Sequence, residues 1–119
     1  MNEMTIPEAK QFVSKYPTDV LSASIFGFPV KRINQNLHFV DWGILPIVTV
    51  VTSSISMCHD SLVKNRLLYR LDHMDEVVSG EKHPYIVTID GVMVAKDGNH
   101  RLACLSMLGY KYCKCRLFA

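Results

Sequence analysis

Apolar residues follow two rhythms along this chain, and the switches between them mark out its elements. Between residues 62 and 78 the apolar positions Leu62, Val63, Leu67, Leu71, Met74 and Val78 recur at helical spacing. Lys64, Arg66, Arg70 and Asp72 fall between them. Asp72-His73 and Gly80 predict a bend, or two abutting helices, closing at Ser79-Gly80. The run over 45–52 is nearly continuous in Val, Ile and Thr, the pattern of a central strand buried on both faces. Strands are expected over 85–89 and 92–95, joined by the hairpin signal Asp90-Gly91. Over 111–118 the rhythm is two: Cys113, Cys115 and Leu117 point one way, and Tyr112, Lys114, Arg116 and Phe118 the other.

The opening third reads differently. Thr5 as N-cap, Pro7 in the first turn and Glu8 as capping-box partner predict a helix running to about Lys15, before Pro17. Thr18-Asp19 is expected to cap a second short helix over 20–25, broken by Gly27-Phe28-Pro29. A short strand is predicted over 37–40, and a loop over 53–60 in which Asp60 or Ser61 caps the following helix. The expected organisation is an N-terminal helical extension, 1–35, packed on an α+β domain, 36–119.

The chain has 119 residues, enough for one domain with a core that needs no disulfide or metal staple. Its hydrophobic share of 49% is rich for that size and points to a surface buried against a protein partner or a second copy. A net charge of +2 is too small to argue by itself for nucleic acid or an anionic membrane. No stretch approaches the roughly 20 apolar residues of a membrane span. Met1-Asn2-Glu3-Met4 has neither the basic nor the apolar part of a signal peptide, so a cytoplasmic location with Cys58, Cys104, Cys113 and Cys115 reduced is expected.

The candidate chemistry gathers at 94–105, where an apolar strand breaks at Asp97-Gly98 and a helix opens with Asn99, His100 and Arg101. Gly109 sits where a left-handed C-terminal cap belongs. A helix start carries unpaired N–H groups and partial positive charge, and so favours anions. A His and an Arg in that turn add donors suited to phosphate or carboxylate. Ordinary capping by Asp97 with a solvated first turn is the competing reading. Arg66 and Arg70 share a helix face; they form either a solvated basic patch or a second reach to the same phosphates.

Strand, Asp-Gly hairpin, strand, Asp97-Gly98-Asn99-His100-Arg101-Leu102-Ala103, then Leu108-Gly109-Tyr110 and a last strand resembles the ParB/sulfiredoxin superfamily, with its D-G-x-H-R segment. The resemblance is specific over 84–117, looser back to 45, and does not cover 1–35. It implies a small α+β fold and a nucleotide-phosphate pocket, for ATP or CTP, at Gly98, Asn99, His100 and Arg101. Asp97 and His100 are the implied catalytic candidates, and magnesium would accompany a triphosphate. Members of the superfamily span DNA partitioning, sulfinic-acid reduction, serine phosphorylation and nuclease activity, so the scaffold does not choose the reaction.

Two branches can be set aside. Sulfinic-acid reductases carry a cysteine immediately before the His-Arg pair, and Asn99 cannot form their thiol intermediates. The 119 residues also hold no helix-turn-helix after the motif, so sequence-specific DNA reading is not expected. NTP hydrolysis, phosphoryl transfer or DNA cleavage would need a base, for which Asp97, Asp60, Glu76 and Glu81 are candidates. The alternative is a non-catalytic regulatory module of plasmid or phage type that binds protein or DNA. Lys111, Tyr112, Lys114 and Arg116 form a small basic-aromatic stripe for nucleic acid. No metal site is expected: Cys58-His59-Asp60 and Cys113-x-Cys115 lack paired zinc-ligand spacing, and the latter, like Cys104, reads as core. His38, His59, His73 and His83 read as surface or hydrogen-bonded residues, and Trp42 as a core or interface anchor.

Overall fold

The computed structural model describes residues 3–33, 41–78 and 83–118. Helix α1 (Ile6–Lys15) starts as its local sequence dictates, with Thr5 and Glu8 each bonding the other's backbone N–H in a complete capping box. Its buried residues Ala9 and Val13 join the main core.

The expected helix over 20–25 does not form. Val20–Leu21 is a two-residue strand, β1, paired antiparallel with β4 (Leu62–Val63). A turn of 3-10 helix, Ala23–Phe26, follows, capped by Ser22 rather than Thr18 or Asp19 and ended by Gly27 in the left-handed region. Two β-branched or branched residues with a distant partner satisfy their backbone across the chain, a bond no local pattern announces. The predicted strand over 37–40 lies outside the described residues.

The main sheet has five strands, ordered β2-β7-β5-β6-β3: β2 (Ile47–Val51), β7 (Tyr112–Phe118), β5 (Tyr85–Ile89), β6 (Val92–Asp97) and β3 (Ile55–Met57). It is mixed: β5 runs parallel to β7, and β6 parallel to β3. The architecture is α+β, as expected. Strand β2 is not central, however. Among the described residues it pairs only with β7, and its residues alternate between exposed and half-buried. The strand buried throughout is β3, within the stretch expected to be a loop; it is short and polar at Ser56, so its sequence carries little β signal.

One face of the sheet carries Val48, Val50, Ile86, Ala95, Cys113 and Cys115 into the core shared with the helices. The alternation predicted for β7 holds, with Cys113 and Cys115 buried and Tyr112 and Lys114 exposed. The β5–β6 hairpin turns at Asp90 and Gly91, both at positive φ. Helices α2 (Lys64–Asp72) and α3 (Met74–Val78) break at His73, the bend expected from Asp72-His73. Neither Asp60 nor Ser61 caps α2: its N-cap is Val63, without a side-chain bond. Asp60 instead accepts from the Ser22 hydroxyl (2.7 Å) and the Ala23 N–H (2.9 Å), tying the turn after β1 to the loop after β3. Helix α4 (Asn99–Met107) lies in the middle of the fold, with Leu102, Ala103, Cys104 and Met107 fully buried. Trp42 stacks on Tyr85 with ring centroids 4.8 Å apart, an anchoring contact as its sequence position suggested.

Candidate anion-binding site

The start of α4 is built by backbone constraint. Strand β6 runs through Asp97, so Asp97 is not the N-cap; that position belongs to Gly98, at φ +90° with no side-chain cap bond. The Asp97 carboxylate accepts the Gly98 N–H at 2.8 Å and so shapes the turn. A Cβ on Gly98 would meet the Cα and Cβ of Pro84 at 2.9 Å. Positive φ and this close approach both require glycine there.

The next two side chains turn inward. Asn99, 4% exposed, accepts the Cys58 N–H at 3.2 Å and donates to the Ala95 carbonyl and the Cys58 thiol, both at 3.4 Å. It thereby fastens α4 to the loop after β3. His100, 5% exposed, accepts the Val63 N–H on Nε2 at 2.9 Å. An amide can only donate, so Nε2 carries the lone pair and the proton sits on Nδ1. Burial, and then the positive charge of Arg66, push the His100 pKa down to about 4. The imidazole is therefore uncharged at neutral pH.

Arg101 points out of the core but stays half-buried. It donates to the His83 carbonyl at 3.4 Å, and its Nε finds no partner among the described residues. Burial first, and then Arg70, lower its pKa. Across from it, α2 presents Arg66 and Arg70, the latter 3.9 Å from the Glu76 carboxylate. Together with Lys96 and Asp97 from the end of β6, His59 and residues 98–101, they enclose a polar cavity of about 100 Å³. That is room for a few waters, at roughly 30 Å³ each, or for one phosphate-sized group. Among the described residues Arg66, Arg70, Lys96 and Arg101 line it with one carboxylate, Asp97, while Glu76 partners Arg70 from beside it.

The fold thus brings Arg66, Arg70 and the 97–101 segment to one cavity. It leaves other sequence candidates outside. Asp60 is engaged by Ser22 and Ala23, and these hydrogen bonds lower its pKa. Glu76 pairs with Arg70, and Glu81 lies outside the described residues. In the basic-aromatic stripe, Tyr112 and Lys114 are exposed, while Arg116 donates to the Leu45 carbonyl at 2.7 Å. Cys104 is fully buried and its thiol is pushed up to about 12 by desolvation. The cavity also takes in Lys96, which the sequence signals by its place directly before Asp97 on the strand leading into the turn, and His59, which reads from the sequence as a surface or hydrogen-bonded residue. Among the described residues no cluster of three or more His, Cys, Asp or Glu could hold a metal, and no helix is long and apolar enough to cross a membrane.

No protein-family model matches the chain, and no curated protein does. Similar solved structures include sulfiredoxin from Arabidopsis thaliana, at 18% identity and a TM-score of 0.48, covering 61% of this chain and 84% of that one. They also include a free serine kinase in complex with AMP, at 22% identity and a TM-score of 0.48, covering 76% of this chain and 33% of the kinase. The chain thus spans a third of the kinase's length. Likenesses this weak say nothing of what the chain binds.

Proposed function

We propose that this chain binds the phosphates of a nucleotide, ATP or CTP, at the start of α4. The observation that carries the reading is the pair of cations Arg66 and Arg101 at the cavity, beside Arg70, whose partner is Glu76, with Asp97 the carboxylate in the lining. Burial, and then the charge of Arg70, lower the Arg101 pKa, and an anion held beside these cations relieves that cost. The first-turn amides of α4 and its dipole add to the same attraction. The D-G-x-H-R resemblance points to the same segment.

The role of each residue follows from its hydrogen bonds. Arg101 and Arg66 supply charge-assisted donors. Gly98 lets the backbone approach closely, and Asp97 holds the turn. Asn99 and His100 set the position of the helix start, since their side chains are already engaged with Cys58 and Val63. Magnesium, if used, enters with the triphosphate, with Asp97 the carboxylate nearest to meet it. With the His100 Nε2 lone pair engaged by the Val63 N–H and, among the described residues, Asp97 the one carboxylate lining the cavity, binding rather than turnover is the better-supported activity.

Calorimetric titration with ATP, CTP, GTP and inorganic phosphate, with and without magnesium, tests this. At least one nucleotide should bind, and Arg101→Ala should weaken it about tenfold or more, the worth of a charged hydrogen bond. No binding at millimolar nucleotide would overturn the proposal. Release of phosphate, or cleavage of DNA incubated with magnesium or manganese, would restore the enzymatic reading.

A further inference from the structure

Strand β2 has the composition of a central strand and, among the described residues, the position of an edge strand. Ile47-Val48-Thr49-Val50-Val51 carries no charge, no proline and no glycine, the features that usually keep an edge from pairing with another chain. Ile47 is 46% exposed and Val51 42%, and Ile44 just before them is 80% exposed. The ladder phase fixes which amides face outward. Pro46 accepts from Leu117, and Thr52 donates to Lys111, so with this register Val48 and Val50 form the hydrogen-bonded pairs with Cys115 and Cys113. The N–H and C=O groups of Ile47, Thr49 and Val51 therefore point away from β7.

We infer that β2 pairs antiparallel with β2 of a second copy of this chain, about a two-fold axis at Thr49, joining two sheets into one. The sequence is self-complementary in that register. Ile47 lies opposite the partner's Val51, Val48 opposite the partner's Val50, and Thr49 opposite the partner's Thr49. Each cross-strand pair joins β-branched residues, the pairings that sheets favour. The outward amides at 47, 49 and 51 are all in the hydrogen-bonding phase of this arrangement, so none is left over. Charge does not oppose it. The nearest lysine across the strand, Lys114 opposite Thr49, lies one strand from the edge. Its symmetry mate is three strand spacings away, roughly 14 Å, beyond the screening length at physiological salt. The apolar surplus in the composition has an outlet here, and this inference stands independently of the anion cavity.

Sedimentation equilibrium on the full chain, from micromolar to millimolar, should show a reversible monomer–dimer equilibrium. Thr49→Pro removes an outward N–H while leaving the β7 ladder intact, and should weaken dimerisation at least tenfold. In a Cys58→Ser background, which removes the half-exposed native thiol, Thr49→Cys places two thiols across the axis at a Cα separation of about 5.5 Å, within disulfide range, so mild oxidation should yield a covalent dimer that Cys58→Ser alone does not form. A chain that stays monomeric throughout, or a dimer that Thr49→Pro leaves intact and Thr49→Cys does not cross-link, would overturn the inference. If Thr49→Pro fails to fold, the cross-linking result decides.

Discussion

His100 Nε2 accepts the backbone N–H of Val63 at 2.9 Å, so a residue in the first turn of α4 completes the start of α2. Protonation would set one N–H against another. With the folded pKa near 4 and an unfolded value of about 6.5, the unfolded chain binds the extra proton in between. Stability should be level above pH 6.5 and fall as pH drops from 6.5 to 4, by on the order of 2 kcal/mol once solvent screening is allowed for. Urea unfolding across that range measures it. His100→Gln, which can still accept from Val63 but does not titrate, should flatten the profile; an unchanged slope would assign the loss to other groups.

Gly98→Ala should be costly on two counts. The left-handed backbone disfavours any Cβ, and Pro84 stands 2.9 Å from where it would sit. A loss of about 2 kcal/mol or more is expected from strain plus displacement of backbone. Thermal melting reads the stability, and titration with nucleotide should show binding weakened alongside it. A neutral substitution would mean that the β6–α4 turn is not as constrained as its geometry indicates.

Asn99 differs from a solvated first-turn residue in being almost wholly buried, with its amide bonded on both ends. Asn99→Asp keeps the acceptor for Cys58 but loses the donor to Ala95 and buries a carboxylate. It should destabilise by about 1–3 kcal/mol at neutral pH and recover part of that in acid, where the carboxyl is protonated. Denaturant midpoints at two pH values check this.

The four cysteines should separate cleanly under a thiol reagent. Cys104, Cys113 and Cys115 are buried with raised pKa values, whereas Cys58 is half-exposed. In the native protein one thiol should react quickly and three only on unfolding. More than one fast equivalent would show that the β7 face of the core opens readily.

Binding at the cavity should depend strongly on salt. With Arg66 and Arg101 the principal charge donors, raising ionic strength should weaken nucleotide affinity, and Arg66→Ala should reduce that dependence as well as the affinity. Titrations at low and high salt on wild type and variant provide the comparison.

What the sequence determined by itself is what short-range bonding decides. The Thr5–Glu8 capping box, the Asp90-Gly91 hairpin, the break at His73 and the in-out alternation of β7 each depend on residues within a turn of one another. The glycine at 98 and the polar first turn after it were legible for the same reason. Tertiary structure decided whatever depends on partners far along the chain. Val20–Leu21 is a strand because Leu62–Val63 lies beside it, and Asp60 serves the turn at Ser22 rather than a helix start. The branched run 47–51 reads as a central strand, yet its place in the sheet follows from which strands β7 can join. At the site the same division holds: the sequence placed His100 beside Arg101, but only burial, then the charge of Arg66, together with the Val63 hydrogen bond, made the imidazole neutral and structural. Local spacing can put a side chain at a helix start; burial and long-range hydrogen bonds decide what it does there.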